Sequence, residues 1–118
     1  MSRLILHITT APEWTAAKEA GEYRAPSLET EGFIHCTDGA DAMVATATRH
    51  YTDVPGDFVV LTVDLDDCGS PWRIDDPGKP YPHIYGPIDR AAILEVASIT
   101  RDPDGRFVRI DRPDDATA

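Results

Sequence analysis

The end of the chain contains two strand-like runs that are separated by only a short turn. The runs are AAILEVASITRD and GRFVRIDR, and the segment DPDG between them is typical of a hairpin. Parallel strands need a crossover of a dozen or more residues, so these two strands are expected to be antiparallel. A third run, FVVLTVDL at residues 58–65, is also rich in β-branched residues. This spacing excludes a βαβ repeat and predicts an α+β domain whose late strands are mostly antiparallel.

Two helices are predicted in the first half of the chain. The first covers PEWTAAKEAG, where Thr10 is expected to be the N-cap and proline and glutamate suit the first turn. The second covers GADAMVATATRHYT, and either Thr37 or Asp38 is expected to cap it. Both helices precede the run of late strands, as in an α+β arrangement.

The remaining segments are predicted to be short strands and irregular connectors. RLILHI and GFIHCT are interpreted as strands, because apolar and β-branched residues dominate both. EYRAPSLETEG is interpreted as an irregular connector that is broken by its proline. The stretch DDCGSPWRIDDPGKPYPH carries four prolines and two glycines, so it is expected to wrap the surface, with a short strand at WRI.

The length of 118 residues fits one domain, which we assign to residues 1–112. The polar segment PDDATA at residues 113–118 is predicted to be a disordered tail. No apolar run is long enough to span a membrane, and the first residues lack the pattern of a secretory signal. We therefore expect a cytoplasmic protein without a membrane partner, in which Cys36 and Cys68 are free thiols.

The net charge of −10, from 21 acidic and 11 basic residues, limits the partners that the surface can attract. An acidic surface repels polyanions, so no nucleic acid partner is expected. A small anion can still bind where arginines converge. The charge does not indicate an oligomeric state.

Three of the four histidines lie in short apolar runs: His7 in LILHIT, His35 in GFIHCT and His83 in YPHIYG. A neutral imidazole is both a donor and an acceptor, which suits a hydroxyl group or a ribose. We predict that the three rings line one pocket, whereas His50 is interpreted as a solvent-facing residue. A structural role for each histidine remains an alternative. A metal-dependent enzyme is another, although zinc ligands usually lie at closer spacings.

Two further segments contain candidate ligand-binding residues. Arg24 and Ser27 lie in the predicted connector and could bind a phosphate or a carboxylate, although Arg24 could instead pair with a nearby glutamate. Tyr81 and Tyr85 flank His83 at a spacing of two, which places all three on one face of a strand. The rings could form a slot for a flat ligand or a wall of the core.

The blocks SLETEGFIHC and PHIYGP, together with LILHIT, resemble the DUF952 family of small bacterial proteins. The resemblance extends from about His7 to Ile88 and covers most of the chain. That family has been grouped with the ADP-ribosyltransferase-like fold. The resemblance therefore implies two small, mostly antiparallel sheets with a cleft between them, and NAD as the ligand or substrate.

The resemblance also implies roles for individual residues. His7 on the first strand would hold the ribose beside nicotinamide, His35 would support it from the second strand, and Arg24 would meet the pyrophosphate. Members of the family tend to carry a glutamate shortly before the PHIYG block, where this chain has Asp75 and Asp76. Asp75, or alternatively Asp76, is the expected catalytic acid, because a carboxylate can stabilise the sugar cation that forms when the nicotinamide–ribose bond breaks. ADP-ribose transfer or hydrolysis and a non-catalytic binding module both remain open.

Overall fold

The computed structural model describes residues 3–111, and it is an α+β structure of nine strands and three helices over that range. In chain order these are β1 (Leu4–Thr10), α1 (Ala11–Ala17), β2 (Glu22–Tyr23), α2 (Pro26–Thr30), β3 (Ile34–His35), α3 (Ala40–Tyr51), β4 (Phe58–Asp64), β5 (Trp72–Arg73), β6 (His83–Ile84), β7 (Ile88–Asp89), β8 (Ile93–Arg101) and β9 (Phe107–Asp111). The segment 113–118, predicted to be disordered, lies outside the described residues.

The strands form three antiparallel sheets, of which the largest has the order β1-β4-β8-β9. The hairpin of β8 and β9 is the one that the sequence predicts. Two small sheets, β2-β7 and β3-β6-β5, are not part of its strand order. The resemblance implied two sheets, and the described residues contain three. The additional sheet arises because Glu22 and Tyr23, which were expected in an irregular connector, pair with Asp89 and Ile88.

Each face of the large sheet buries its own apolar cluster, since side chains alternate between the two faces of a strand. The face towards α3 buries Leu6, Ile8, Met43, Ala47, Phe58 and Val60, among others. The opposite face packs against the two small sheets and buries Ile5, Tyr23, Ile34, Leu61, Ile84 and Ile88, among others. His7 is two residues from Ile5 on β1, so its side chain points to this second face.

The N-terminal ends of the helices confirm one predicted cap and correct another. The Thr10 side chain accepts a hydrogen bond from the Glu13 backbone N–H at 3.2 Å, as predicted for the N-cap of α1. Helix α3 has no side-chain cap, and Gly39 precedes it with a φ of 106°. The prediction that Thr37 or Asp38 caps this helix was wrong, because Gly39 is the residue at that position and the Thr37 backbone pairs with Leu6 of β1.

The segment EYRAPSLETEG is more regular than predicted, since it contains both β2 and α2. Pro26 was expected to break this segment, but it is the first residue of α2. A proline suits this position because its missing N–H would have no partner within the helix and its φ is already helical. The short helix brings Ser27 and Glu31 to the same side of the molecule as β3.

Candidate functional site

A cleft of about 660 Å³ opens between β1, the two N-terminal helices, β3 and the end of α3. His7, His35 and His83 all line it, so the prediction that the three histidines share one pocket is confirmed. The polar side chains around them include Thr9, Glu13, Tyr23, Glu31, Arg49 and Tyr81. A cleft of this size is typical of small-molecule sites.

His7 lies at the floor of the cleft, and both of its ring nitrogens already have partners. Nδ1 is 2.6 Å from the His35 carbonyl oxygen, and Nε2 is 2.8 Å from the Tyr23 hydroxyl oxygen. A carbonyl only accepts, so Nδ1–H is the donor and Nε2 accepts from the Tyr23 hydroxyl. Burial lowers the pKa of His7 to about 4, which keeps the ring neutral at pH 7. His7 therefore has no free nitrogen with which to hold a ribose directly.

The polar network continues from His7 towards the mouth of the cleft. Burial raises the pKa of the Tyr23 phenol to about 12. The Thr9 hydroxyl donates its proton to the Glu13 carboxylate at 2.9 Å. A ligand hydroxyl that enters the cleft therefore meets oxygen acceptors from Thr9, Tyr23 and Glu13 rather than the imidazole of His7.

His35 and His83 lie side by side, and each is held by a carboxylate. The two residues are directly opposite in the β3-β6 pair, and their ring centroids are 5.4 Å apart. His35 Nε2 is 2.9 Å from the Glu31 carboxylate, and His83 Nδ1 is 2.9 Å from the Asp75 carboxylate. Each ring thus keeps its other nitrogen for a further contact.

Neither Asp75 nor Asp76 lines the cleft, and the carboxylate of Asp75 is already hydrogen-bonded. It accepts from the Tyr85 hydroxyl, from His83 Nδ1 and from Arg73 Nε, the last at 2.6 Å. These hydrogen bonds, that of Tyr85 first, lower the pKa of Asp75 to about 2. The same bond raises the pKa of Tyr85, because the phenol donates to a carboxylate. Asp75 therefore contacts His83 rather than the interior of the cleft.

The predicted slot between Tyr81, His83 and Tyr85 is filled by the ring of Phe33. That ring stacks on His83 with centroids 4.1 Å apart and an angle of 17° between the planes, and it lies 5.4 Å from the Tyr85 ring. Tyr81 is separate from this stack and lies beside Arg49, whose Nη2 is 3.5 Å from the Tyr81 hydroxyl oxygen. The hydrogen bond from Arg49 is the largest cause of the lowered pKa of Tyr81. A flat ligand therefore has no room between His83 and Tyr85.

The two predicted anion-binding residues differ in their positions. Ser27 lines the cleft and donates its hydroxyl to the Phe33 carbonyl at 2.8 Å. Arg24 does not line it, and its guanidinium pairs with Glu22 at 2.9 Å on the exposed surface. This pairing is the alternative that the sequence left open for Arg24.

Helix α3 contributes five residues to the cleft that the sequence analysis did not select, and they include the two basic side chains Arg49 and His50. His50 was interpreted as solvent-facing. A signal was present, because Thr46, Arg49 and His50 follow the spacing i, i+3, i+4 and so share one face of a helix. That face is polar, and nothing in the sequence indicates that it points towards β1 and the histidines.

The geometry argues against a three-histidine metal site, since both ring nitrogens of His7 are hydrogen-bonded. Across residues 3–111, no group of three or more His, Cys, Asp or Glu side chains is arranged to hold a metal ion. Over the same residues, no helix is both long and apolar enough to cross a membrane.

The fold and the cleft define a small α+β protein with a histidine-lined cleft. The family model of DUF952, described as a protein of unknown function, matches residues 8–96. The match covers well over half of the 118 residues, so the chain belongs to the DUF952 family.

Similar solved structures are known for the protein CC0527 from Caulobacter crescentus. A crystal structure of that protein has a TM-score of 0.74 and 28% sequence identity, and the alignment covers 90% of this chain and 94% of that one. A solution NMR structure of the same protein has a TM-score of 0.66 and 26% identity, over 96% and 95% of the two chains. Among curated proteins, none matches the chain significantly.

Proposed function

We propose that the cleft binds NAD or a related nucleotide that contains ADP-ribose, and that the fold is of the ADP-ribosyltransferase-like type. The small antiparallel sheets beside a cleft of about 660 Å³ support the proposal, because a ligand of that size needs a site in this range. The polar lining also suits a ribose, whose hydroxyls can donate to the oxygens of Thr9, Tyr23 and Glu13.

The observation that carries the proposal is the position of Arg49. Among the described residues that line the cleft, it is the one lysine or arginine. A guanidinium binds phosphate oxygens through charge-assisted hydrogen bonds, often two at a time. In a protein with a net charge of −10, a phosphate finds few other favourable positions. Arg49 therefore takes the pyrophosphate-binding role that the family resemblance implied for Arg24.

A non-catalytic binding module is the second candidate function, since Asp75 is not placed to act as the catalytic acid itself. Cleavage of NAD with Asp75 as the catalytic acid needs that carboxylate beside the sugar, and Asp75 instead faces Arg73, His83 and Tyr85. The carboxylates that do line the cleft are Glu13 and Glu31. Binding of the nucleotide is common to both candidates, so it is the property to test first.

Calorimetric titration with NAD and with ADP-ribose tests the proposal, with Arg49→Ala and Arg24→Ala as a matched pair of arginine variants. Loss of a charge-assisted hydrogen bond costs about 1.5–3 kcal/mol, so Arg49→Ala is expected to weaken binding roughly 10- to 100-fold. Arg24→Ala, which removes a surface charge paired with Glu22, is expected to bind like the native protein. Equal losses in the two variants, or no binding by the native protein, would refute the proposal.

A further inference from the structure

The imidazole of His83 is fixed in both position and plane, although its strand is only two residues long. The Asp75 carboxylate holds Nδ1 at 2.9 Å, and the Phe33 ring covers one face at 4.1 Å. The side chain is 20% exposed, so it is neither free on the surface nor part of the apolar core. The two contacts restrict rotation about both side-chain torsions and so fix the direction of Nε2.

The group that holds His83 is itself fixed and ionised. The Tyr85 hydroxyl and Arg73 Nε donate to Asp75, and the Arg73 guanidinium carbon lies 4.3 Å from the centre of the Tyr85 ring. The pKa of Asp75 is lowered to about 2, so the group is a carboxylate at neutral pH. A carboxylate only accepts, so Nδ1 of His83 carries the proton in that hydrogen bond and the neutral ring has its lone pair on Nε2.

The second nitrogen of His83 has no hydrogen-bond partner among residues 3–111, and the ring lines the cleft with Tyr23 and Arg49. The ring has two titratable neighbours besides Asp75: His35, which is held by Glu31, and Tyr85, which donates to Asp75. A histidine that is held at one nitrogen by a carboxylate and presents the other to a ligand is the arrangement of a general base. The Asp75–His83 pair has this form.

We propose that His83 is a general base for hydrolysis of the nucleotide in the cleft and that Asp75 is its positioning residue; the proposal rests on the proposed binding of NAD. In the step, a water oxygen forms a bond to C1′ of the ribose next to nicotinamide. The C1′–N bond breaks, and its electron pair remains on the nicotinamide nitrogen. The proton of the water passes to Nε2 of His83 and then to solvent, so the products are nicotinamide and ADP-ribose.

The kinetic test measures nicotinamide release and NAD affinity for His83→Gln, Asp75→Asn and the control Asp76→Asn. Within residues 3–111 no group is hydrogen-bonded to the Asp76 side chain, so Asp76→Asn removes a neighbouring charge without touching His83. Because loss of a general base lowers kcat about 100-fold or more, His83→Gln is expected to lower kcat by that factor. Asp75→Asn is expected to lower kcat by roughly tenfold with KM unchanged, and Asp76→Asn to change neither.

A spectroscopic test reports on His83 without turnover. In ¹⁵N spectra of the free native protein, the neutral ring is expected to carry its proton on Nδ1, and Asp75→Asn is expected to give a mixture of the two tautomers. A proton on Nε2 in the native protein would overturn the proposal. The proposal would also be overturned if Asp75→Asn lowered the thermal stability and left kcat unchanged. That result would show that the Asp75–His83 hydrogen bond stabilises the fold and does not serve catalysis.

The outcomes of the two proposals can be told apart. A native protein that binds NAD by calorimetry but releases no nicotinamide refutes the role of His83 and leaves the proposed binding function intact. A native protein that binds neither NAD nor ADP-ribose refutes both. Nicotinamide release that falls in His83→Gln while NAD affinity stays constant supports both.

Discussion

Single residues in similar sequence contexts have different roles in this cleft. His7 and His35 both lie in short apolar runs, yet His7 is 6% exposed with both nitrogens bonded, whereas His35 is exposed with one nitrogen bonded to Glu31. The run indicates a strand, but the neighbouring sheet decides whether the ring is buried. His7 acts as a fixed, neutral part of the floor, and its titration should be visible in the stability of the protein.

The stability of the fold should fall with acidification because of His7. Its pKa is lowered from 6.5 to about 4 in the folded state, so the unfolded state binds more protons between these pH values. Stability therefore rises with pH across this window, and acidification from pH 6.5 to pH 4 should remove at most about 3 kcal/mol of the free energy of unfolding. Urea unfolding at a series of pH values measures this dependence.

The control for this measurement is His50→Gln, which removes an exposed histidine and should keep the pH dependence of the native protein. His7→Gln should lose most of it, because glutamine does not titrate. Below pH 4 a second decline is expected as Asp75 and other carboxylates with lowered pKa values are protonated. A native protein whose stability is constant from pH 6.5 to pH 4 would contradict the buried, neutral state of His7.

At the scale of the elements, one arginine connects the end of α3 to the large sheet. Arg101, the last residue of β8, donates hydrogen bonds to five backbone carbonyls, which belong to Tyr51, Thr52, Val54, Gly56 and Gly105. The last carbonyls of a helix have no partner within the helix, and a cation at that end also interacts favourably with the helix dipole. Arg101 therefore fixes the end of α3 from which Arg49 and His50 reach the cleft.

Substitution of Arg101 should destabilise the protein more than substitution of an arginine that makes only a surface ion pair. Arg101→Ala leaves several carbonyls without a donor, so we expect a loss of about 2–3 kcal/mol. Arg109→Ala on β9 removes only an exposed pair with Asp111, and a loss of about 1 kcal/mol or less is expected. Chemical denaturation of both variants measures the difference, and equal losses would show that the five hydrogen bonds do not stabilise the end of α3.

The long elements could be predicted from the sequence, whereas the two-residue strands and the packing that brings the cleft residues together could not. Strands β4, β8 and β9 and the Thr10 cap depend on their own residues and on a short turn. Strands β2 and β7 have only two residues each, so they show no periodicity and exist only because they pair with each other. For the same reason the sequence favoured Arg24 over Arg49, since the approach of α3 to β1 is a tertiary contact.

At the scale of the whole molecule, one apolar cluster connects the large sheet to both small sheets. It includes Leu61 of the large sheet, Tyr23 and Ile88 of one small sheet and Ile84 of the other. Cys36 and Cys68 are free thiols, as the sequence predicts, and both are buried in the same cluster. Burial also raises the pKa of the Cys36 thiol far above its usual range, which suppresses the reactive thiolate. Thiol reactivity therefore reports on the opening of this cluster.

If the three sheets unfold as one cooperative unit, both thiols should react with Ellman's reagent only after global unfolding. Cys36 is 3% exposed and Cys68 is 1% exposed, so a reagent of that size reaches neither sulfur in the folded state. The labelling rates of Cys36→Ser and Cys68→Ser, each with one remaining thiol, should be equal and should rise with urea in step with the unfolding equilibrium. Faster labelling of Cys68 at urea concentrations below the unfolding transition would show instead that the segment after β4 opens by itself. The cleft residues contributed by β6 would then belong to a separate, less stable unit.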